Sequence, residues 1–200
     1  MSIITKLVLG FAFISAVAIL VVGIASYFGA QERLIEQTRG GLLSVSETKS
    51  HHLEEFFERI KVRAVDFSSD GFIRDTTQEI LDDRNEDTVA ALKKHLIENK
   101  MPLDDTIYEI HIHGLGGELL LSTDSNSHDQ EATLVLPNEP GAWDLNYGEA
   151  LVTDLRLRSG YKITTASIVV VAPLMDRETG NHIGFIMNFI RPDNLNAVLD

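Results

Sequence analysis

The prediction of the fold begins with the sequence IYEIHIHGLGGELLLST, residues 107–123. Polar and apolar residues alternate in its first part, before a glycine-rich turn. A period of two is typical of a β-strand with one buried face. The buried face would hold Tyr108, Ile110 and Ile112, and the opposite face would expose Glu109, His111 and His113 to solvent. Residues 114–117 predict a turn and residues 118–123 a partner strand. The stretch therefore predicts a β-hairpin.

Three later segments continue the strand pattern, at residues 150–158, 162–173 and 182–191. Ser159-Gly160 predicts a hairpin turn between the first two of them. Residues 168–172 and 183–187 are apolar on both faces, so we expect the centre of the sheet to be covered on both sides. Together with the first hairpin, these segments predict five antiparallel strands, with residues 124–148 as a long polar insertion.

Helices precede the strands. Apolar residues recur at spacings of three and four within residues 31–68, as Leu53, Phe56, Phe57, Ile60, Ala64 and Phe67. Such a stripe predicts one long helix that packs on the sheet, with a local bend at Gly40-Gly41. Residues 70–81 and 86–100 predict two shorter helices, joined by a solvent-exposed acidic run, Asp82–Asp87. Helices followed by antiparallel strands define an α+β domain.

The N-terminus carries a different pattern. Residues Leu7–Ala30 form a run of 24 positions without a charged side chain, and about 20 apolar residues span a bilayer as a helix. We therefore expect a transmembrane helix. A cleaved signal peptide stays open, because Gly23-Ile24-Ala25 fits a cleavage site, although signal peptides carry a shorter apolar core of about 7–15 residues.

Charge predicts the orientation and excludes several functions. Lys6 precedes the apolar run, whereas all 30 acidic residues follow it. This favours a cytoplasmic N-terminus that leads into the transmembrane helix (together residues 1–30) and an extracytoplasmic domain (residues 31–200) on an inner membrane. The net charge of −13 argues against binding of nucleic acid. The chain has no cysteine, which excludes disulfides, thiolate metal sites and thiol nucleophiles.

Several short motifs resemble a known family. They are residues 107–112, Gly117-Glu118, Leu121-Ser122-Thr123, Ala172–Asp176, Gly180, Ile183-Gly184-Phe185 and Asn194-Leu195. The motifs follow an apolar helix, and in this order they resemble the first and last hairpins of Cache domains. Cache domains are PAS-like extracytoplasmic sensor modules of bacterial receptors. The resemblance covers roughly residues 34–200. It implies a long helix on a five-stranded sheet, with a ligand pocket on the opposite sheet face.

The resemblance also directs the choice of site residues. Under the insertion, an aromatic wall with fixed charges would suit an amino acid or a carboxylate. The predicted ligand-binding residues are Trp143, Tyr147, Asp154, Arg156 and Arg158. The alternative is structural, with Trp143 plugging the core and the arginines in solvent. We predict no metal site and no cofactor, and interpret His51, His52, His111 and His113 as solvent-facing.

Two functions remain open. The first is the sensor part of a transmembrane receptor, foremost a sensor histidine kinase, which forms a homodimer through the long helix. The second is a membrane-anchored binding or assembly protein without an output domain. The 200 residues contain no catalytic motif and no second apolar span. For the receptor, we therefore expect the chain to end before a second module or a second membrane helix, with kinase or diguanylate cyclase activity outside it.

Overall fold

The computed structural model describes residues 3–124, 141–153, 156–158 and 165–195, and the backbone alone at residues 5, 156–158, 165 and 166. The helices are α1 (Ile3–Ser69), α2 (Gly71–Asp82) and α3 (Glu86–His95), followed by a π-helical turn (Leu96–Lys100) and a 3-10 turn (Met101–Leu103). The strands are β1 (Ile107–Gly114), β2 (Leu119–Ser122), β3 (Leu151–Val152), β4 (Arg156–Arg158), β5 (Thr165–Met175) and β6 (His182–Ile190). The chain divides into two units, Met1–Ser50 and His51–Asp200.

The first unit is helical, and its described side chains are almost all exposed. Of the described helices, α1 is long and apolar enough to cross a membrane, and its most apolar window is 0% buried. Gly40 and Gly41 lie within α1, and an added Cβ at either position would meet nothing within 4 Å. The apolar N-terminal helix predicted from the sequence is therefore present.

An antiparallel sheet forms the centre of the second unit. Its strand order is β2-β1-β6-β5-β3, and β4 also pairs with β5. The predicted strand at residues 150–158 is found as two pieces, β3 and β4, both paired with β5. The predicted hairpin turn Ser159-Gly160 lies outside the described residues. The α+β class, with a long helix and a five-stranded antiparallel sheet, is confirmed.

One face of the sheet packs against the helices. α1 contributes Phe56, Ile60, Ala64 and Phe67, all at most 3% exposed, to a core with Ile110, Ile112, Val170, Ile186 and Ile190. Each fully buried side chain of this kind stabilises the fold by about 1.5–3 kcal/mol. The three-and-four spacing of the stripe is therefore explained by packing, as predicted.

Asp70 organises the junction between the helices. Its carboxylate accepts hydrogen bonds from the backbone N–H groups of Phe72 (2.8 Å) and Ile73 (3.2 Å), which caps α2. It also pairs with Lys100 Nζ at 2.6 Å and lies 3.7 Å from His95 Nε2. Burial alone would raise the pKa of Asp70. The hydrogen bonds from Lys100 and Ile73 and the positive charges of Lys100 and His95 outweigh this effect, so the pKa of Asp70 is lowered. The acidic junction Asp82–Asp87 is exposed, as predicted.

The other face of the sheet corrects one prediction. Glu109 is 3% exposed, and His111 and His113 are both 0% exposed. The interpretation of these histidines as solvent-facing is wrong, whereas His51 and His52 on α1 are exposed. The physical reason is that β1 is an interior strand between β2 and β6, and that its second face is covered as well. Alternation identifies the polar face of a strand but not whether another layer covers it.

Candidate functional site

The sheet face opposite α1, here called the distal face, is an apolar surface. It is formed by Val169, Val171, Phe185, Met187 and Phe189, with Ala142 packed on it, and each of these is at most 7% exposed. The strands that supply it are β5 and β6, which exchange a long antiparallel ladder. A polar group on this face is therefore held in apolar surroundings, where its interactions are strong and its desolvation is costly.

A carboxylate and an imidazole lie on this face. Glu109 and His111 are two residues apart on β1, so their side chains point to the same side. His111 Nε2 donates to Glu109 Oε1 at 2.5 Å, and Ser122 Oγ donates to the same oxygen at 3.0 Å. Ser122 stands opposite His111 in the register of β1 and β2. The three side chains form one hydrogen-bonded group, which we call the Glu–His–Ser group.

The imidazole of His111 has one more nitrogen. Its ring packs 4.5 Å from the ring of Phe189 and 5.6 Å from that of His113, measured between centroids. Nδ1 of His111 is buried and finds no hydrogen-bond partner among the described residues. The arrangement therefore presents a polar atom toward an apolar environment.

Neighbouring hydrogen bonds hold the hairpin that carries the group. His113 Nδ1 donates to the carbonyl of Gly117 at 3.1 Å, across the turn. Thr123 Oγ1 accepts from the backbone N–H of Ile110 at 2.9 Å. Ser122 and Thr123 belong to the same sequence motif but make different hydrogen bonds. Ser122 completes the Glu–His–Ser group, and Thr123 fastens β2 to β1.

The polar groups continue toward the other end of the distal face. Tyr108 and Ser167 share a hydrogen bond between their hydroxyl oxygens at 2.5 Å. The guanidinium of Arg191 lies 5.6 Å from the centroid of the Tyr108 ring. Within the described part of the chain, no set of three His, Asp or Glu side chains is arranged to hold a metal ion. The described polar side chains of this face offer hydrogen bonds and charge.

Comparison with known proteins identifies the fold. No protein-family model and no curated protein matches this chain. The structure is similar to the extracellular domain of vpHK1S-Z8, a protein assigned as a histidine kinase (TM-score 0.59, 10% identity, 83% of this chain and 63% of the other). It is also similar to the sensor domain of the histidine kinase DctB from Vibrio cholerae (TM-score 0.56, 10% identity, 78% and 57%). The chain shares the fold of these two domains.

A third similar structure is the ligand-binding domain of the Campylobacter jejuni chemoreceptor Tlp3, solved with 4-methylisoleucine (TM-score 0.50, 14% identity, 77% of this chain and 58% of the other). This chain therefore spans about three fifths of the length of these three chains. The family resemblance predicted from the sequence is confirmed at the level of the fold.

The structure places two of the predicted site residues in detail. Trp143 lies edge-on to Phe185, 4.9 Å between ring centroids, and is 41% exposed, so it stands at the margin of the distal face. Tyr147 is 56% exposed, and the guanidinium of Arg74 on α2 lies 5.4 Å from its ring centroid. The two aromatic side chains thus contact different elements.

The remaining predicted residues are less fully described. Asp154 lies outside the described residues. Arg156 and Arg158 are in β4, where they pair with Ser167 and Thr165 of β5, but their side chains are not described. Their role in ligand binding stays a prediction.

Sequence reasoning missed the Glu–His–Ser group. The signal for it was available, because residues 168–172 and 183–187 are apolar on both faces and therefore indicate a covered sheet. What the sequence did not show was that β1 pairs with β6. This pairing places the polar face of β1 in the covered part of the sheet.

A groove lies beside the edge strand β3. It has a volume of about 590 Å³ between α1 and β3 and is lined by Phe57, Lys61, Leu151, Val152, Ile168 and Leu195 among others. Its lining is mainly apolar, with Lys61 as its charged side chain. The groove offers less hydrogen-bonding chemistry than the distal face, which therefore remains the candidate site.

Proposed function

We propose that this chain is the extracytoplasmic ligand-sensing part of a transmembrane signalling receptor, and that it binds a small polar molecule on the distal face. The observation that carries the proposal is the Glu–His–Ser group, a buried set of hydrogen-bonding side chains on an otherwise apolar surface. Ligand sites of small molecules are commonly apolar with a few precisely placed polar groups. The Cache sensor fold supports the same function, since two similar structures are sensor or extracellular domains of histidine kinases.

The ligand class in this proposal is an amino acid or a carboxylate. Trp143 would cover the ligand, and Tyr147, Asp154, Arg156 and Arg158 would supply further contacts from the neighbouring segments. The output activity, foremost a histidine kinase, would belong to the longer receptor. The apolar N-terminal part of α1 would anchor the domain in the inner membrane, with residues 31–200 in the periplasm.

The proposed receptor is a homodimer through α1. Within the first unit, Leu34, Ile35, Leu42, Leu43 and Val45 are all between 55% and 67% exposed. A helix in water gains free energy when it buries such a stripe, and the same stripe on a second copy is the simplest partner. The dimer would place two distal faces in one receptor.

Ligand binding to the full chain in detergent micelles tests the function. A panel of amino acids and carboxylates is screened by thermal unfolding and by the fluorescence of Trp143, the only tryptophan. A ligand at a hundredfold excess over its dissociation constant should stabilise the fold by about 2.7 kcal/mol. Arg156→Ala should remove the stabilisation by an anionic ligand, whereas Arg33→Ala, in the first unit, should not. Absence of any thermal or fluorescence response across the panel would contradict the sensor function.

A further inference from the structure

The hydrogen bond between Glu109 and His111 determines which nitrogen of the ring is available. Because Glu109 accepts from Nε2, that nitrogen carries the proton, and in the neutral imidazole the other nitrogen, Nδ1, bears a lone pair. A carboxylate that holds a histidine in one tautomer is a common way to orient the second nitrogen toward a ligand. Ser122 holds the carboxylate in turn, through its bond to the same oxygen.

Nδ1 of His111 is therefore an oriented acceptor. The side chain is 0% exposed, and Nδ1 has no hydrogen-bond partner within the described ranges of the chain. A buried acceptor without a partner is unfavourable, and such atoms in native proteins call for a specific explanation. The ligand of the proposed sensor is one explanation that also accounts for the position of the atom on the distal face.

We propose that Nδ1 of His111 accepts a hydrogen bond from a protonated primary amine of the ligand. This inference rests on the proposed function and names the chemical class that the same face recognises. The hydrogen bond from Nε2 to Glu109 makes Nδ1 a better acceptor, which suits a charged N–H donor, whereas a carboxylate has no proton to donate to it. Among the described residues, the titratable side chain of His113 also faces the ring of His111. The ring of Phe189 packs against the ring of His111 as well. Aromatic faces also favour a cation.

Three small probes with the same carbon chain distinguish recognition of an amine from recognition of a carboxylate: butylamine, butyrate and 2-aminobutyrate. Each is titrated at neutral pH into the full chain in detergent micelles, and binding is followed by Trp143 fluorescence and by thermal unfolding. The proposal expects butylamine and 2-aminobutyrate to bind and butyrate to bind at least tenfold more weakly. A charge-assisted hydrogen bond accounts for a change of about tenfold to a hundredfold in affinity.

The matched variants are His111→Gln and His52→Gln. The glutamine amide at position 111 reaches the place of Nε2 and keeps a donor for Glu109, but it leaves no acceptor at the place of Nδ1. We expect this variant to bind butylamine about tenfold to a hundredfold more weakly, while His52→Gln, at an exposed position on α1, binds as the unmodified chain does. Unchanged butylamine affinity in His111→Gln would overturn the inference.

A second measurement does not depend on the folding of a variant. In the unmodified chain labelled with 15N-histidine, Nδ1 of His111 should resonate as an unprotonated nitrogen and should shift when butylamine is added. A resonance that stays in place at saturating butylamine would overturn the inference. Binding of butyrate alone would overturn it while leaving the sensor function standing, whereas no response to any probe or to the wider panel would overturn both.

Discussion

The indole ring of Trp143 meets the ring of Phe185 edge-on, with 4.9 Å between their centroids and 89° between their planes. Phe185 is 0% exposed, whereas Trp143 is 41% exposed, so the indole covers the distal face without being enclosed by it. Edge-to-face pairs of this kind add about 0.5–1.5 kcal/mol beyond the burial of area. This half-exposed position leads to a test of the two roles that the sequence left open for Trp143.

Trp143→Ala should therefore keep the fold and lose ligand binding. We expect the free energy of unfolding to fall by about 1–2 kcal/mol, less than the 3–5 kcal/mol typical of a fully buried tryptophan or phenylalanine. Urea unfolding of the full chain in detergent, followed by circular dichroism, measures this change. Tyr147→Ala, at a more exposed aromatic position, is the control for the free energy of unfolding only, because Tyr147 is itself a proposed ligand contact. A variant that no longer unfolds cooperatively would show that Trp143 is a core residue.

Phe56→Asp should unfold the second unit. Phe56 is 3% exposed in the core between α1 and the sheet, and burying a charge without a partner costs several kcal/mol. That cost is a large share of the 5–15 kcal/mol by which domains are typically stable. Val62→Asp introduces the same charge on the same helix at a position that is 65% exposed, and should melt normally. Equal melting temperatures for the two variants would mean that α1 is not docked through Phe56.

Acid should weaken the junction at Asp70. Because the pKa of Asp70 is lowered on folding, its charge stabilises the folded state above the ordinary aspartate pKa of about 3.9. That contribution is lost as the pH falls through the lower value of the folded state. Asp70→Asn keeps an N-cap side chain but removes the charge, so it should lower the melting temperature at neutral pH and differ progressively less from the unmodified chain below about pH 4.

The control for this prediction is Asp75→Asn. Asp75 pairs with Arg177 at 2.8 Å, but both side chains are more than half exposed, and exposed pairs contribute about 0–1 kcal/mol. Its effect on the melting temperature should be small at every pH. A constant difference between Asp70→Asn and the unmodified chain down to the lowest pH would argue against a charge effect at Asp70.

Gly184→Ala should destabilise the sheet strongly. Gly184 stands opposite Gly114 in the register of β1 and β6, and a Cβ at residue 184 would run into the carbonyl oxygen of His113. Because that obstacle is backbone, the two strands must move apart, which also disturbs the hairpin that carries the Glu–His–Ser group. We expect a loss of about 1–3 kcal/mol, as for overpacked cores. Gly41→Ala, in open space on α1, should instead be neutral or stabilising by up to about 1 kcal/mol.

Membrane orientation is measured with reporter fusions after Asp200. Alkaline phosphatase is active only when exported, so this fusion should be active in a bacterial host if the acidic domain lies outside the cytoplasm. The expectation rests on Lys6 before the apolar run and on the acidic residues after it. An active β-galactosidase fusion together with an inactive phosphatase fusion would reverse the orientation.

Local patterns in the sequence were enough to predict the elements and the fold class. The uncharged run Leu7–Ala30, the stripe that includes Phe56 and Ile60, and the alternation in residues 107–112 are local patterns. Each is a period or a length set by the geometry of a single helix or strand, so it can be read without knowing the partners of that element. The apolar runs in β5 and β6 even indicated a sheet covered on both faces.

The burial of the polar face of β1 depends on the tertiary structure. Glu109 and His111 alternate with apolar residues as a solvent-facing row would, but they lie on a covered face of the sheet. β1 pairs with β6, more than 70 positions later in the chain, and the side chains that β6 contributes to this face, such as Phe185 and Phe189, are buried as well. Gly184 is likewise more than 70 positions from His113 in the chain. The carbonyl oxygen of His113 leaves no room for a Cβ at residue 184, so glycine is required there. Strand pairing and layer packing are set by contacts between distant segments, and the period of one strand carries no information about them.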